Sequence, residues 1–317
     1  MRILFAASPA IAVPSLEAFF NIDNIELVGV LTNPDSAKGR HGALLPTEVG
    51  EAAEKLLTVS RQKFAILKPF KLDAEAREQV AALKPDLLVS FAYGRLFGPK
   101  FLSLFPLGGI NIHASLLPRY RGPSPIQAAI LNCDTITGIS IQTLADEMDC
   151  GDILAVQKFQ LTGRETNVTL SDLIAQKAAV MLPDVIRKIA DGTAEKTEQN
   201  HSEATHCRLF TKDDGIIDWN KNALEIDAAV RAFTPWPLCR TIHKDKELII
   251  LEACVFEGKI DKEQPGKVLG TDKNCGILIQ TGDGVLAVTK LQYQTKKALF
   301  WRDFLNGAGD LPGSQLG

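Results

Sequence analysis

Short apolar runs alternate with amphipathic stretches through residues 1–192. RILFAAS (2–8), ELVGVLTN (26–33), DLLVSFA (86–92) and GINIH (109–113) are aliphatic and too short for helices. They predict buried strands, because a strand covered on both faces reads as a continuous apolar run. Between them, PSLEAFF (14–20), TEVGEAAEKLL (47–57), AEAREQVAAL (74–83) and PSPIQAAILN (123–132) predict helices. Such alternation is the pattern of an α/β sheet with crossover connections. GISIQTLA (138–145) and ILAVQKFQL (153–161) add two strands around the acidic turn DEMDCGD (146–152). The long stretch TLSDLIAQKAAVMLPDVIRKIADG (169–192) predicts one helix, with Thr169 or Ser171 as cap and Gly192 just past its end.

The polar segment TAEKTEQNHSEATHC (193–207) predicts a linker, and beyond it the pattern changes. IIDWNKNALEIDAAVRAF (216–233) carries one amphipathic helix. ELIILEACVF, GKVLGT, GILIQTG and GVLAVTKLQY then follow at close spacing, with turns such as Asp283-Gly284. Closely spaced short strands predict a small β-barrel or sandwich. The expected organisation is an α/β domain at 1–192, a linker at 193–207 and a smaller β domain at 208–317. A chain of 317 residues is long enough for two cores.

Composition narrows the function classes. Net charge is −3, and residues 208–317 balance 15 basic against 15 acidic side chains. Bulk charge thus supplies no nucleic-acid signal, and any RNA contact must come from a local basic face. Six scattered cysteines without a CxxC pair predict reduced thiols and a cytoplasmic location rather than a disulfide frame or zinc site. The apolar start is expected to be a first strand rather than a signal peptide, since Pro9 and Pro14 interrupt it. FAASPAIAVP (5–14) carries neither GxGxxG nor GxxxxGK[ST], which counts against a dehydrogenase or an NTPase.

Candidate chemistry begins where GINIH ends. Asn111 and His113 share one side of a strand with a repeat of two. They fall at the carboxyl edge of the sheet, where open α/β sheets bind ligands. An amide N–H stabilises a developing oxyanion, and an imidazole moves protons. Asn-x-His alone more often marks a satisfied polar strand end. Here, however, a proline-bracketed loop follows, SLLPRYRGPSP (115–125), with Gly122 free to adopt unusual angles. Arg119 and Arg121 read either as anion contacts or as solvated loop charge. The turn at 146–152 reads as an ordinary polar turn or as the source of a carboxylate that fixes the tautomer of His113.

Asn111-x-His113-x-Ser115-Leu116-Leu117-Pro118, with Met148-Asp149-x-Gly151-Asp152 downstream, resembles the folate-dependent formyltransferases. NPDSAKGRHGALLP (33–46) and RAFTPWP (231–237) are similar to segments of the tRNA-acting branch of that family. The resemblance covers nearly the whole chain. It implies an α/β fold with a mixed, mostly parallel, Rossmann-like sheet and flanking helices, followed by a smaller OB-like β-barrel domain that binds tRNA. It implies transfer of formyl from 10-formyltetrahydrofolate, a co-substrate, to the amino group of methionyl initiator tRNA, without a metal. Carried over by position, Asn111, His113 and Asp149 are catalytic, and Ser115, Leu116, Leu117 and Pro118 lie on the folate segment. Arg40 matches an acceptor-end contact, with Lys38 and His41 beside it. FAYGRLFG (91–98) is a second candidate wall of the folate slot through Phe91, Tyr93 and Gly94, or else plain core and turn. Lys244, Lys246, Lys296, Lys297 and Arg302 are candidate phosphate contacts in the β domain. A monomer is expected. The alternatives are a formyltransferase acting on a nucleotide-linked amino sugar, which would not need the 33–46 loop, and a non-catalytic RNA-binding protein, which would not need the Asn/His/Asp set.

Overall fold

The computed structural model describes residues 1–38, 42–60 and 62–317. The chain divides into two compact units. The first comprises Met1–Pro125, Ile136–Gln160 and Ser171–Arg208; the second comprises Ile126–Thr135, Leu161–Leu170 and Leu209–Gly317.

The first unit is built on a seven-stranded sheet. Its strands are β1 (Arg2–Ala7), β2 (Glu26–Leu31), β5 (Ala65–Leu67), β6 (Leu87–Phe91), β7 (Gly109–His113), β8 (Ile136–Thr143) and β9 (Ile153–Gln160), in the order β5-β2-β1-β6-β7-β8-β9. Pairings from β5 across to β7 are parallel, and β8 and β9 add antiparallel. Ile3 through Ala7 are completely buried, as the unbroken apolar run demands. In chain order, the helices up to residue 190 are α1 (Val13–Ala18), α2 (Glu48–Val59), α3 (Ala74–Ala82), α4 (Pro99–Leu102), α5 (Pro125–Leu131) and α6 (Asn167–Ala190), of which α5 from Ile126 on and the first turn of α6 belong to the second unit. Thr47 caps α2 by accepting from the Gly50 N–H at 3.0 Å, and Asp73 caps α3 through the Ala76 N–H at 3.2 Å. α6 starts two residues earlier than the apolar pattern implies. Thr166, not Thr169 or Ser171, stands before it and accepts from the Thr169 N–H at 3.2 Å. Gly192 does follow its end with a φ of 69°, the left-handed geometry that suits glycine.

The segment 33–46 reads as a loop in sequence but carries a hairpin of β3 (Ser36–Lys38) and β4 (Ala43–Leu45). The segment 193–207 is not a free linker. Thr197 pairs with Ile153 in both directions at 2.8 and 2.9 Å, extending the sheet beside β9.

The second unit holds α7 (Ala223–Phe233) and an antiparallel sheet. Its strands are β10 (Cys239–His243), β11 (Lys246–Phe256), β12 (Val268–Asp272), β13 (Gly276–Gln280), β14 (Val285–Tyr293) and β15 (Leu299–Phe300), followed by α8 (Trp301–Asn306). The order is β10-β11-β14-β13-β12, with β15 on β14. Asn222 and Glu225 form a reciprocal capping box that starts α7.

Candidate active site

β6, β7 and β8 deliver the site. Ser90 pairs with Asn111 across β6–β7; Asn111 faces Gln142 and His113 faces Ser140 across β7–β8. Directly opposed residues of an antiparallel pair share a face. Asn111, His113, Ser140 and Gln142 therefore form one polar patch at the end of the sheet, while Ile139 and Ile141 are buried on the opposite face.

Asp149 is brought onto that patch by the β8–β9 turn. Its own φ is 57°, a left-handed conformation that aspartate tolerates better than most residues. Gly151 permits the tight turn: a Cβ there would lie 1.8 Å from the Thr143 carbonyl oxygen. Of the four acids in the turn, Asp149 alone reaches the imidazole, with Oδ1 3.4 Å from His113 Nδ1. Asp146 and Glu147 are exposed. Three N–H groups and one imidazole nitrogen face the Asp149 carboxylate, whose side chain is 9% exposed. Gln142 Nε2 donates to Oδ1 at 2.8 Å and Asn111 Nδ2 at 3.4 Å, His113 Nδ1 faces the same oxygen, and the Gly122 N–H donates to Oδ2 at 2.8 Å. His113 Nε2 donates to the Tyr120 carbonyl at 2.9 Å.

The loop after β7 is pinned at each end. Ser140 Oγ donates to the Ser115 carbonyl at 2.8 Å and accepts from the Leu117 N–H at 3.0 Å. Ser115 Oγ donates to the Arg119 carbonyl at 2.6 Å. The 193–207 segment lies along the same loop, joined by Thr205 N–H to Pro118 O and Cys207 N–H to Arg121 O. Burial pushes the Cys207 thiol up, and the charge of Asp149 adds to the effect.

Several expected residues take other places. Phe91 and Tyr93 are 2% and 1% exposed, so their side chains are core; Tyr93 stacks on Phe97. What this loop presents outward is Ala92 and Gly94, both exposed and both at positive φ. Beside it, Asn33 donates to the Tyr93 carbonyl at 3.1 Å and leaves its own Oδ1 buried without a partner. Leu116 and Pro118 are half-buried, while Ser115 and Leu117 are buried. Arg121 is no loose anion contact: it is buried and bonded to Gln199 and His201. Arg119 lies over the Tyr120 ring. Arg40 and His41 lie outside the described residues, and Lys38 ends β3. In the second unit, Lys244 is paired with Asp310, Lys246 lies over Tyr293 and Arg302 over Trp301, and Lys296 and Lys297 are exposed.

Gln142, Gln199 and Ser140 join the site without a mark in the sequence motifs. The alternation in GISIQTLA could have shown Ser140 and Gln142 facing together, but only the β7–β8 register puts them opposite His113 and Asn111. Nothing local marks Gln199. Among the described residues no group of three or more His, Cys, Asp or Glu side chains is placed to hold a metal ion.

Comparison with known proteins places this arrangement. The formyl transferase model matches residues 3–186, and the formyl transferase C-terminal domain model matches 209–309. A methionyl-tRNA formyltransferase of Treponema denticola is 47% identical over 98% of both chains. One of Borrelia hermsii is 38% identical over 99% of both. Among solved structures, HypX of Aquifex aeolicus in complex with tetrahydrofolic acid shares the fold with a TM-score of 0.64 at 18% identity, over 96% of this chain and 47% of its own. The N-formyltransferase of Helicobacter canadensis, solved with folinic acid and dTDP-3-aminofucose, has a TM-score of 0.66 at 18% identity over 90% and 97%. With two family models across its length and full-length relatives at this identity, the chain belongs to the formyl transferase family and, within it, to the group of the methionyl-tRNA formyltransferases.

Proposed function

We propose that the protein transfers the formyl group of 10-formyltetrahydrofolate to the amino group of methionyl initiator tRNA. The observation that carries the mechanism is the convergence of Asn111 Nδ2 and His113 Nδ1 on one oxygen of a buried carboxylate, each at 3.4 Å. Both contacts are long, so these two groups are only weakly engaged by the carboxylate and turn to a substrate oxygen that approaches beside it rather than in its place. The methionyl amine attacks the formyl carbon, the carbonyl π bond breaks, and negative charge collects on its oxygen. Asn111 and His113 stabilise that oxygen, an effect of about 3–4 kcal/mol for a well-placed donor. Asp149 keeps the imidazole oriented, and its negative charge favours passage of the proton from the amine to the folate N10 as the C–N10 bond breaks. No covalent enzyme intermediate is needed, since holding two substrates together removes much of the barrier.

The folate donor is assigned to the loop Ser115-Leu116-Leu117-Pro118 and to the exposed turn at Ala92–Gly94. A flat heterocycle with polar edges suits a slot of half-buried apolar residues, exposed backbone and the unpartnered Asn33 Oδ1. The tRNA is assigned to Arg40 and Lys38 and to the basic side chains of the C-terminal domain. Residues 1–192 form the catalytic domain, 193–207 join its site, and 208–317 form the tRNA-binding domain. The enzyme is a monomer of the cytoplasm in this reading, consistent with six free cysteines.

The test is a formyl-transfer assay with methionyl initiator tRNA, methionyl elongator tRNA and a nucleotide-linked amino sugar in parallel. Formylation of initiator tRNA alone is expected. Formylation of the amino sugar alone would overturn the acceptor assignment and keep the Asn/His/Asp chemistry. Arg40→Ala should raise KM for the tRNA without raising it for the folate; equal effects would place Arg40 elsewhere.

A further inference from the structure

Behind Asp149 runs a buried polar chain that the catalytic description does not use. Arg121 is 5% exposed, Gln199 5% and Gln142 1%. Arg121 Nη2 and Nε donate to Gln199 Oε1 at 2.7 and 3.2 Å. Gln199 Nε2 donates to Gln142 Oε1 at 3.1 Å, to the Asp149 carbonyl at 2.9 Å and to the Gly151 carbonyl at 2.7 Å. Gln142 Nε2 donates to Asp149 Oδ1 at 2.8 Å.

Each link has a forced direction. A guanidinium only donates, so it must meet the oxygen of Gln199. Backbone carbonyls only accept, so they must meet its nitrogen. A carboxylate only accepts, so Asp149 Oδ1 must meet the nitrogen of Gln142, which turns the Gln142 oxygen toward Gln199 Nε2, whose two hydrogens are shared among three acceptors. The second carboxylate oxygen faces the Gly122 N–H. Both oxygens of Asp149 are therefore opposed by N–H donors, and among the described residues the acceptor facing a carboxylic O–H there is His113 Nδ1. His113 Nε2 faces a carbonyl and keeps its own proton.

We propose that Arg121, Gln199 and Gln142 form a relay of positioning residues that holds Asp149 as an acceptor on both oxygens and so confines the shared proton to the His113 side. The inference deepens the formyl-transfer reading and rests on it for its kinetic readout. It gives the 193–207 segment a role in the site: it carries the amide that joins Arg121 to Gln142 and to the Asp149 turn. The titratable and charged groups around Asp149 are His113 on β7, Arg121 on the following loop, Glu147 and Cys150 on its own turn, and His201 and Cys207 on the 193–207 segment.

The experiment measures kcat against pH for the wild type and for Gln142→Leu, Gln199→Leu and Gln142→Glu, together with the 15N signals of the His113 ring. Both leucine variants should lose kcat by about ten- to a hundredfold, with KM for either substrate changed less than about twofold. Their acid limb should move to higher pH, because Asp149 now accepts a proton more easily. Gln142→Glu should move oppositely. Its introduced carboxyl donates to Asp149 while protonated, so activity persists at low pH and fails as pH rises. The Nδ1 signal of His113 should move toward the unprotonated value in the leucine variants. Loss of thermal stability with an unmoved pH profile and unmoved ring signals would overturn the relay and leave a packing role. Should the wild type formylate none of the acceptors, the functional reading falls, and the ring signals still decide the relay.

Discussion

Replacing Asp149 by asparagine tests the site more sharply than deletion does. The shape is unchanged, but one of the two oxygens becomes an NH2. The native oxygens receive the Gly122 N–H and Gln142 Nε2, each at 2.8 Å, with Asn111 and His113 at 3.4 Å. The new NH2 must face either Gly122 or the three donors on the other side. The lower-cost choice sets it against Gly122, so the loop after β7 loses that contact while those from Ser140, Thr205 and Cys207 remain. A charge-assisted bond contributes about 1.5–3 kcal/mol, and an unmet buried donor costs about 1–3 kcal/mol. The structure therefore predicts a loss of about 3–5 kcal/mol and a fall in unfolding midpoint on the order of 10 °C. Transfer should fall further, because His113 loses the carboxylate that orients it; neutralising such a partner costs on the order of 10⁴ in kcat. Thermal unfolding and a single-turnover formyl-transfer assay measure the two effects. A variant with unchanged midpoint and kcat within about tenfold of wild type would refute the geometry of donors around Asp149.

Gly151→Ala should push the β8–β9 turn off Thr143, where its Cβ would sit 1.8 Å from the carbonyl oxygen, and lower kcat with a stability loss of about 2–4 kcal/mol; an unchanged denaturation midpoint would show that the turn relaxes freely. Arg231→Met removes the 2.9 Å partner of Asp227, which is 1% exposed, and should cost the second unit about 3–5 kcal/mol in urea unfolding; a loss below about 1 kcal/mol would assign the charge to Arg164 instead. His243 is buried against Tyr293, and burial holds its imidazole below its ordinary value of 6.5, with Asp310, Lys244 and Lys246 around it. The folded ring binds its proton less readily than the unfolded one, so stability should fall as pH drops below 6.5 and this slope should vanish in His243→Phe; an unchanged slope would place the acid sensitivity elsewhere.

Much of this protein could be read from one dimension. The apolar runs at 2–8, 26–33, 86–92 and 109–113 became the parallel strands they predict, because burial on both faces leaves no alternative pattern. Asn-x-His at a strand end, and an acid turn with glycine two residues after Asp149, were legible because strand periodicity and turn chemistry are local properties. The hairpin in 33–46 and the strand Cys239–His243 are not legible in the sequence: short strands with polar residues carry little periodic signal. Turn composition leaves four acids open, and the family resemblance points to Asp149, which is the one at His113; that Phe91 and Tyr93 turn into the core, and that Arg121 is buried behind the site, were decided only in three dimensions. Gln142 faces Asn111 through the register of β7 on β8, and Gln199 arrives from a segment whose polar composition resembles any linker. A sequence specifies which groups can donate and accept; only the tertiary structure decides which donor meets which acceptor, because that choice is made by distant segments brought into one buried place.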